Sequence, residues 1–207
     1  MIKAEDLKTK VLITGQHGYL GKHIINDSRF EEYDFIYFKG NINTKKNYED
    51  YKENQFDQIW HLASPAADLE EYPDDYIKES IIEGTNNIID LAKKTNSKLI
   101  YFSSEASLYA SDLYGKCKQK ANKNVVQKLQ TNYKILIIPR VYSKDRQKGL
   151  IAKQTIDVAQ DLNKLISYIF LDEFLDEFKR MLDSKLKIET FETQTTTIKE
   201  MFLNLKK

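Results

Sequence analysis

The sequence predicts an α/β domain built on a doubly wound parallel sheet, and three observations predict it. Short apolar runs recur at Val11–Thr14, Asp34–Phe38, Gln58–Ala63, Lys98–Ser103 and Lys134–Pro139, with helix-like stretches between them. These runs are apolar on both faces, which suits strands covered on both sides. A glycine turn, Gly15-Gln16-His17-Gly18-Tyr19-Leu20-Gly21, joins the first run to an amphipathic start. Strand and helix alternating in this way favour parallel pairing through right-handed crossovers.

In the turn, Gly15 lets the chain leave its strand sharply, Gly18 keeps side-chain atoms away from the backbone amides, and Gly21 lets the helix pack close to the strand. A turn of this kind between a strand and a helix favours a nucleotide pyrophosphate lying on the helix N-terminus. Gln16, His17, Tyr19 and Leu20 complete the set of contacts expected there. The second strand ends in Tyr37-Phe38-Lys39-Gly40-Asn41 and carries its acid, Asp34, at the start. An adenosine ribose with a free 2′-hydroxyl would be expected to meet an acid at the strand end. Lys39 could pair with a 2′-phosphate instead, which tilts the choice toward NADP over NAD; a solvated lysine at a strand end is an equal alternative.

The clearest helix is Asp74–Lys94, with Ile77, Ile81, Ile88 and Leu91 at helical spacing and Pro73-Asp74-Asp75 at its start. A second runs from about Leu113 to Gln130 and sets Tyr114 and Lys118 four residues apart on one face. A free tyrosine ionises near ~10, too high for a proton shuttle at neutral pH. A nearby ammonium and an oxidised nicotinamide both favour the phenolate. Tyr114 could then exchange a proton with an oxygen while hydride moves to or from the adjoining carbon. The glycine turn and the tyrosine–lysine pair together suggest a redox enzyme that uses a nicotinamide dinucleotide.

After Arg140 the pattern changes to the polar, turn-rich Val141–Gly149. A mixed helix near Ala152–Leu165, a short run Ile166–Phe170, a helix Asp172–Leu182, a strand Lys187–Phe191 and a last helix Thr197–Leu205 are expected beyond it. A boundary near residue 145 divides the chain into a sheet domain, 1–145, and a small C-terminal part, 146–207.

Composition narrows the function. The 207 residues carry a net charge of +1, so no bulk field invites nucleic acid or an anionic membrane. The lysines of the tyrosine helix read as a solvated face. No apolar stretch approaches a membrane span, and the start lacks a signal-peptide core. The single cysteine, Cys117, excludes an intramolecular disulfide and suits a reducing cytosol, so a cytoplasmic location is expected. His17, His23 and His61 fall at no metal-ligand spacing, and no metal site is expected. Trp60 reads as core, and Phe170, Phe174 and Phe178 as a core or subunit-contact stripe.

The ordered set of motifs resembles the extended short-chain dehydrogenase/reductase family, in its nucleotide-sugar epimerase/dehydratase/reductase branch. The turn Thr14-Gly15-x-x-Gly18-x-x-Gly21 is similar to the family's phosphate signature. Asp57–Ala66 resembles its strand and loop beside the nicotinamide ribose, and Glu83-Gly84-Thr85-Asn86-Asn87 its Gly-Thr-x-Asn helix. Ile100–Ser104 resembles the strand that leads to a catalytic serine or threonine, and Pro139-Arg140-Val141-Tyr142 the turn after the tyrosine helix. Ile169–Phe174 and Thr197–Glu200 are similar to its late elements.

The resemblance implies a Rossmann-type fold with a small, shortened C-terminal substrate cap, an NADP or NAD cofactor, and a nucleoside-diphosphate sugar as substrate, reduced or epimerised through a keto form. It implies Tyr114 as acid/base, Lys118 as its partner and Ser104 as the group bonding the reacting oxygen. Around the cofactor it implies Gly15, Gly18, Gly21, Leu62, Ala63, Ser64, Ser103 and Pro139, and it makes a homodimer a reasonable expectation. Aligning on Leu108-Tyr109 sets Glu105 where the family has serine or threonine, so Ser104, Glu105 and Ser107 stay open for that role. A glutamate there would repel a phenolate. The stretch Ser104–Tyr114 and the tail after Arg140 are both short for the family. They leave a second expectation, a cofactor-binding regulatory or scaffolding protein that has lost catalysis.

Overall fold

The computed structural model describes residues 8–53, 55–65, 72–144, 163 and 165–200. The main sheet contains β1 (Thr9–Thr14), β2 (Tyr33–Tyr37), β3 (Gln58–His61), β4 (Lys98–Phe102), β5 (Tyr133–Ile137) and, from near the C-terminus, β8 (Ile188–Thr190). Their spatial order is β2-β1-β3-β4-β5-β8, and every pairing is parallel. A second sheet joins β6 (Arg140–Tyr142), β7 (Leu165–Phe170) and β9 (Gln194–Thr197) in the order β6-β7-β9.

Alternation along the strands builds two cores. On one face Leu12, Ile59, Leu99, Tyr101, Ile135 and Ile137 pack with α3 (Gly84–Thr95) and α5 (Leu113–Leu129), through Ile88, Leu91, Ala121 and Val125. On the other, Val11, Ile13, Trp60, Ile100, Phe102 and Leu136 pack with α1 (Tyr19–Ile25), Phe30 and α6 (Leu171–Asp183). Period-two burial on both faces is what a doubly wound sheet demands.

The expected helix from Asp74 is present as α2 (Asp74–Lys78), a π turn at Glu79–Glu83, and α3. Pro73 and the first-turn acids Asp74 and Asp75 suit its start. Between β2 and β3 the chain makes a 3-10 helix, Lys45–Tyr51, held by the Tyr48 hydroxyl on the Ile42 carbonyl.

Part of the C-terminal region joins the main sheet and its core. The stripe Phe174, Leu175, Phe178, Met181 and Leu182 of α6 enters the main core, where Phe178 meets Trp60, Phe30 and Phe102. The chain then returns as β8 to lengthen the main sheet. There Lys134 and Glu189, both buried, form an ion pair, and Lys134 Nζ also donates to the Ser184 carbonyl at 3.0 Å. Burying this much apolar surface outweighs keeping residues 171–190 apart. The boundary near 145 and the helix near Ala152–Leu165 lie outside the described residues, except for Asn163 in a turn and Leu165, the first residue of β7. Gln194–Thr197 is a strand, and of the helix expected at Thr197–Leu205 residues 198–200 are helical while 201–205 lie outside the described residues.

Candidate active site

The site gathers where β1, β3, β4 and β5 end. Gly15 has φ +77°, and a Cβ there would meet the Ala63 amide nitrogen at 2.7 Å. The backbones of the turn and of the Leu62–Ser64 strip thus touch directly. Gly18 N–H donates to the Gly15 carbonyl at 2.9 Å, and a Cβ on Gly21 would fall 2.3 Å from that same oxygen. Only this close approach brings α1 up to the strand end. His17 and Gly18 are exposed, and Tyr19 and Leu20 are half-buried. The Gln16 side chain turns inward and donates to the Phe38 carbonyl at 3.0 Å, which leaves its backbone for the expected ligand contact. The Tyr19 hydroxyl pairs with Ser143 Oγ, linking the turn to the chain after β6.

Lys39 is exposed just past β2, and its backbone N–H donates to the Tyr51 hydroxyl at 2.8 Å. Leu62 and Ala63 are half-buried, one against each core. Ser64 Oγ is shielded from solvent and has no hydrogen-bond partner among the described residues. Ala66 of the quoted motif lies outside the described residues. Pro139 is buried between β5 and β6.

At the end of β4, Ser103 N–H donates to Leu136 O and Glu105 N–H to Ile138 O, each at 2.9 Å, so the strand pairing runs on past Phe102. Alternation sends Ser104 to the face opposite its two neighbours. The hydroxyls of Ser64 and Ser104 both face the Tyr114 phenol closely enough to favour its ionised form. Ser107 is buried and receives the Asn122 amide at 3.1 Å, with Ser103 Oγ at 3.5 Å. Of the three candidates, Ser104 adjoins the phenol, while Ser107 clamps the short helix α4 (Ala106–Tyr109) to α5. Asp112 caps α5 by accepting Gly115 N–H at 2.7 Å, and a Cβ on Gly115 would lie 2.5 Å from the Ala106 carbonyl oxygen. Cap and close contact fix where Tyr114 enters the site.

Lys118 is 2 % exposed. Its Nζ donates to the Phe102 carbonyl at 3.1 Å and lies 5.1 Å from the Tyr101 ring centroid and 5.7 Å from that of Tyr114. Burial pulls its pKa down to about 7. Tyr114 departs from the expectation of a lowered value: burial raises its pKa, the Ser64 and Ser104 hydroxyls oppose the rise, and Asp112 adds to it. The repulsion expected from Glu105 comes from Asp112.

Sequence reasoning passed over the buried row beneath these groups. Thr14 Oγ1 lies 2.8 Å from His61 Nδ1 and receives Ala63 N–H at 3.2 Å; His61 Nε2 lies 3.2 Å from Thr85 Oγ1. His61 stacks on Tyr101 with centroids 5.6 Å apart. These side chains meet because the parallel register aligns Thr14 with His61 and His61 with Tyr101. The short spacings of the quoted motifs held no signal for this alignment.

The family model described as the NAD dependent epimerase/dehydratase family matches residues 11–164. The chain belongs to the NAD dependent epimerase/dehydratase family. No curated protein matches the sequence. Among solved structures, the chain is similar to dTDP-4-dehydrorhamnose reductase from Bacillus anthracis in complex with NADP, with TM-score 0.80 and 18% identity over 96% of this chain and 80% of that one. It is also similar to UDP-glucose 4-epimerase from Thermus thermophilus in complex with NAD, with TM-score 0.81 and 16% identity over 95% and 82% of the two chains. UDP-glucose 4-epimerase from Thermotoga maritima, with UDP-glucose, gives TM-score 0.79 and 14% identity over 95% and 81%. At these identities the likeness is one of fold. For this family member, Gly15 and Gly21 without room for a Cβ and a shielded Ser64 Oγ without a partner among the described residues fit a nicotinamide dinucleotide. Among the described residues, no helix is long and apolar enough to cross a membrane.

Proposed function

We propose that this chain is a nicotinamide-dinucleotide-dependent enzyme that reduces or epimerises a nucleoside-diphosphate sugar through its keto form. The observation that carries the reading is the convergence of Ser64, Ser104 and Lys118 on Tyr114 at the sheet edge that also holds the glycine turn. When bound, the cofactor supplies or accepts the hydride. The rest is the work of the chain. The amides of residues 15–21 hold the pyrophosphate, and the missing side chains of Gly15 and Gly18 let it approach. Lys118 holds the ribose hydroxyls with the donors left over from its bond to Phe102.

Burial keeps the proton on Tyr114, so in the reducing direction the phenol acts as an acid and passes that proton to the carbonyl oxygen. Ser104 and Ser64 donate to the oxygen that gains charge, and the Lys118 ammonium supports the phenolate left behind. Lys39 past β2, without an acid at that strand end, favours NADP. Calorimetric titration with NADP and NAD, followed by a panel of keto-sugar nucleotides assayed with wild type and Tyr114→Phe, tests the reading. Turnover by wild type and its loss in the variant are expected. Cofactor binding without any turnover would instead support the regulatory alternative that Glu105 and the short loops raise.

A further inference from the structure

We propose that His61 is a positioning residue: as the tautomer protonated on Nε2, it ties the exits of β1 and β3 to α3 and so sets the spacing of the cofactor cradle. The tautomer follows from counting protons. Thr14 is 1 % exposed, and its Oγ1 already receives the Ala63 amide proton. If His61 Nδ1 also donated to it, the hydroxyl proton of Thr14 would be left buried without an acceptor among the described residues, a costly state. The arrangement that satisfies Thr14 has its hydroxyl donating to Nδ1 at 2.8 Å. Nε2 then carries the ring proton and donates to Thr85 Oγ1 at 3.2 Å, and the Thr85 hydroxyl proton is left for the buried Tyr101 phenol oxygen, which it faces and which has no other partner among the described residues.

The consequence is mechanical. Thr14 immediately precedes Gly15, whose missing Cβ lets the turn lie against Leu62 and Ala63. A rotation of the His61 ring would release Thr14, and with it the contact that sets turn and strip at their present separation. The same ring stacks on Tyr101, over which the Lys118 ammonium lies. One side chain thus reaches both the phosphate end and the lysine layer. The groups facing it are Thr14, Thr85, Tyr101 and the charge of Lys118. Burial first and that charge second hold its pKa down to about 3, which keeps the ring neutral and the tautomer fixed.

The function assigned to this bond network rests on the cradle holding a dinucleotide; the tautomer does not. Long-range proton–nitrogen correlation spectra of the nitrogen-15-labelled, cofactor-free chain are expected to show His61 with Nδ1 bare and Nε2 protonated, unchanged between about pH 5 and 8. A protonated Nδ1, or titration in that range, overturns the proposal. In the second arm, His61→Phe keeps the stack and loses both bonds, and Thr14→Val cuts the same link from its other end. Each is expected to raise the Kd and KM for NADP about tenfold with kcat at saturating cofactor within about threefold. The double variant is expected to be no worse than either single one. Folded variants that bind cofactor like wild type overturn the positioning role. Failure of wild type to bind either dinucleotide overturns the cofactor reading itself, and the spectra decide the tautomer regardless of that result.

Discussion

Gly18→Ala separates the two demands made on the glycine turn. A Cβ at residue 18 would approach the Gly15 carbonyl oxygen to 3.1 Å, and φ is −73°, which alanine tolerates. The neighbour must give by a few tenths of an ångström and alanine is a poorer N-cap than glycine, so the expected loss of stability is about 0.5–1.5 kcal/mol, less than unfolds a domain. Yet residue 18 is exposed at the N-cap of α1, where a phosphate would rest on backbone amides and a methyl group would hold it off. Cofactor affinity is therefore expected to fall at least about tenfold with the fold intact. Gly21→Ala is the contrast. Its Cβ would lie 2.3 Å from Gly15 O and 2.8 Å from Gln16 Cα, both backbone atoms with nowhere to turn. The helix must retreat by roughly 1 Å, at an overpacking cost of about 1–3 kcal/mol, and stability and affinity fall together. Urea unfolding paired with calorimetry on NADP and NAD reads both quantities. Wild-type affinity in Gly18→Ala would refute the cradle.

Other substitutions test the layer beneath. Tyr114→Phe is expected to cut turnover by about 10²–10⁴ while the cofactor Kd stays within about twofold, read by steady-state kinetics and titration. Lys118→Met replaces a buried ammonium that has no carboxylate in salt-bridge reach among the described residues, so activity should collapse while the melting temperature holds or rises. Because burial lowers the Lys118 pKa from 10.5 to about 7, the unfolded chain binds the extra proton between those values; wild-type stability should rise with pH across that window, and Lys118→Met should lack that part of the slope in urea titrations. His61, held at about 3 against an ordinary 6.5, acts on the acid side: stability is lost as pH falls from about 6.5 toward 3, and His61→Phe should flatten that loss by one proton. Glu189→Gln leaves Lys134 charged and unpaired in the core and is expected to cost roughly 3–5 kcal/mol in urea unfolding.

The local signals in the sequence were strong where a short stretch is self-sufficient. Gly15, Gly18 and Gly21 mark a turn through their own sterics, and the spacing of Ile77, Ile81, Ile88 and Leu91 marks a buried helical face. Strand runs such as Lys98–Ser103 declare themselves by being apolar throughout. What escaped depends on contacts distant in sequence. The strand expected at Lys187–Phe191 is present as Ile188–Thr190, but its place as the sixth strand of the main sheet depends on α6 filling the core beside Trp60. Ser104 is distinguished from Ser107 by strand pairing carried two residues beyond β4, and Ser107 by its bond to Asn122. His61 lies within a quoted motif, yet its role depends on a register that places Thr14 and Tyr101 on either side. Gln16 reads as a ligand contact from its position in the turn, and only the carbonyl of Phe38 shows why its side chain points inward.

The central claim is that the glycine turn holds a dinucleotide so that its nicotinamide meets the Tyr114 phenol. A crystal structure of the chain grown with NADP tests it most directly. Pyrophosphate density is expected on the amides of residues 15–21, with the nicotinamide beside Tyr114 and Ser64. Cofactor density elsewhere on the chain, or a Tyr114 phenol turned to bulk solvent with the cofactor bound, would contradict it.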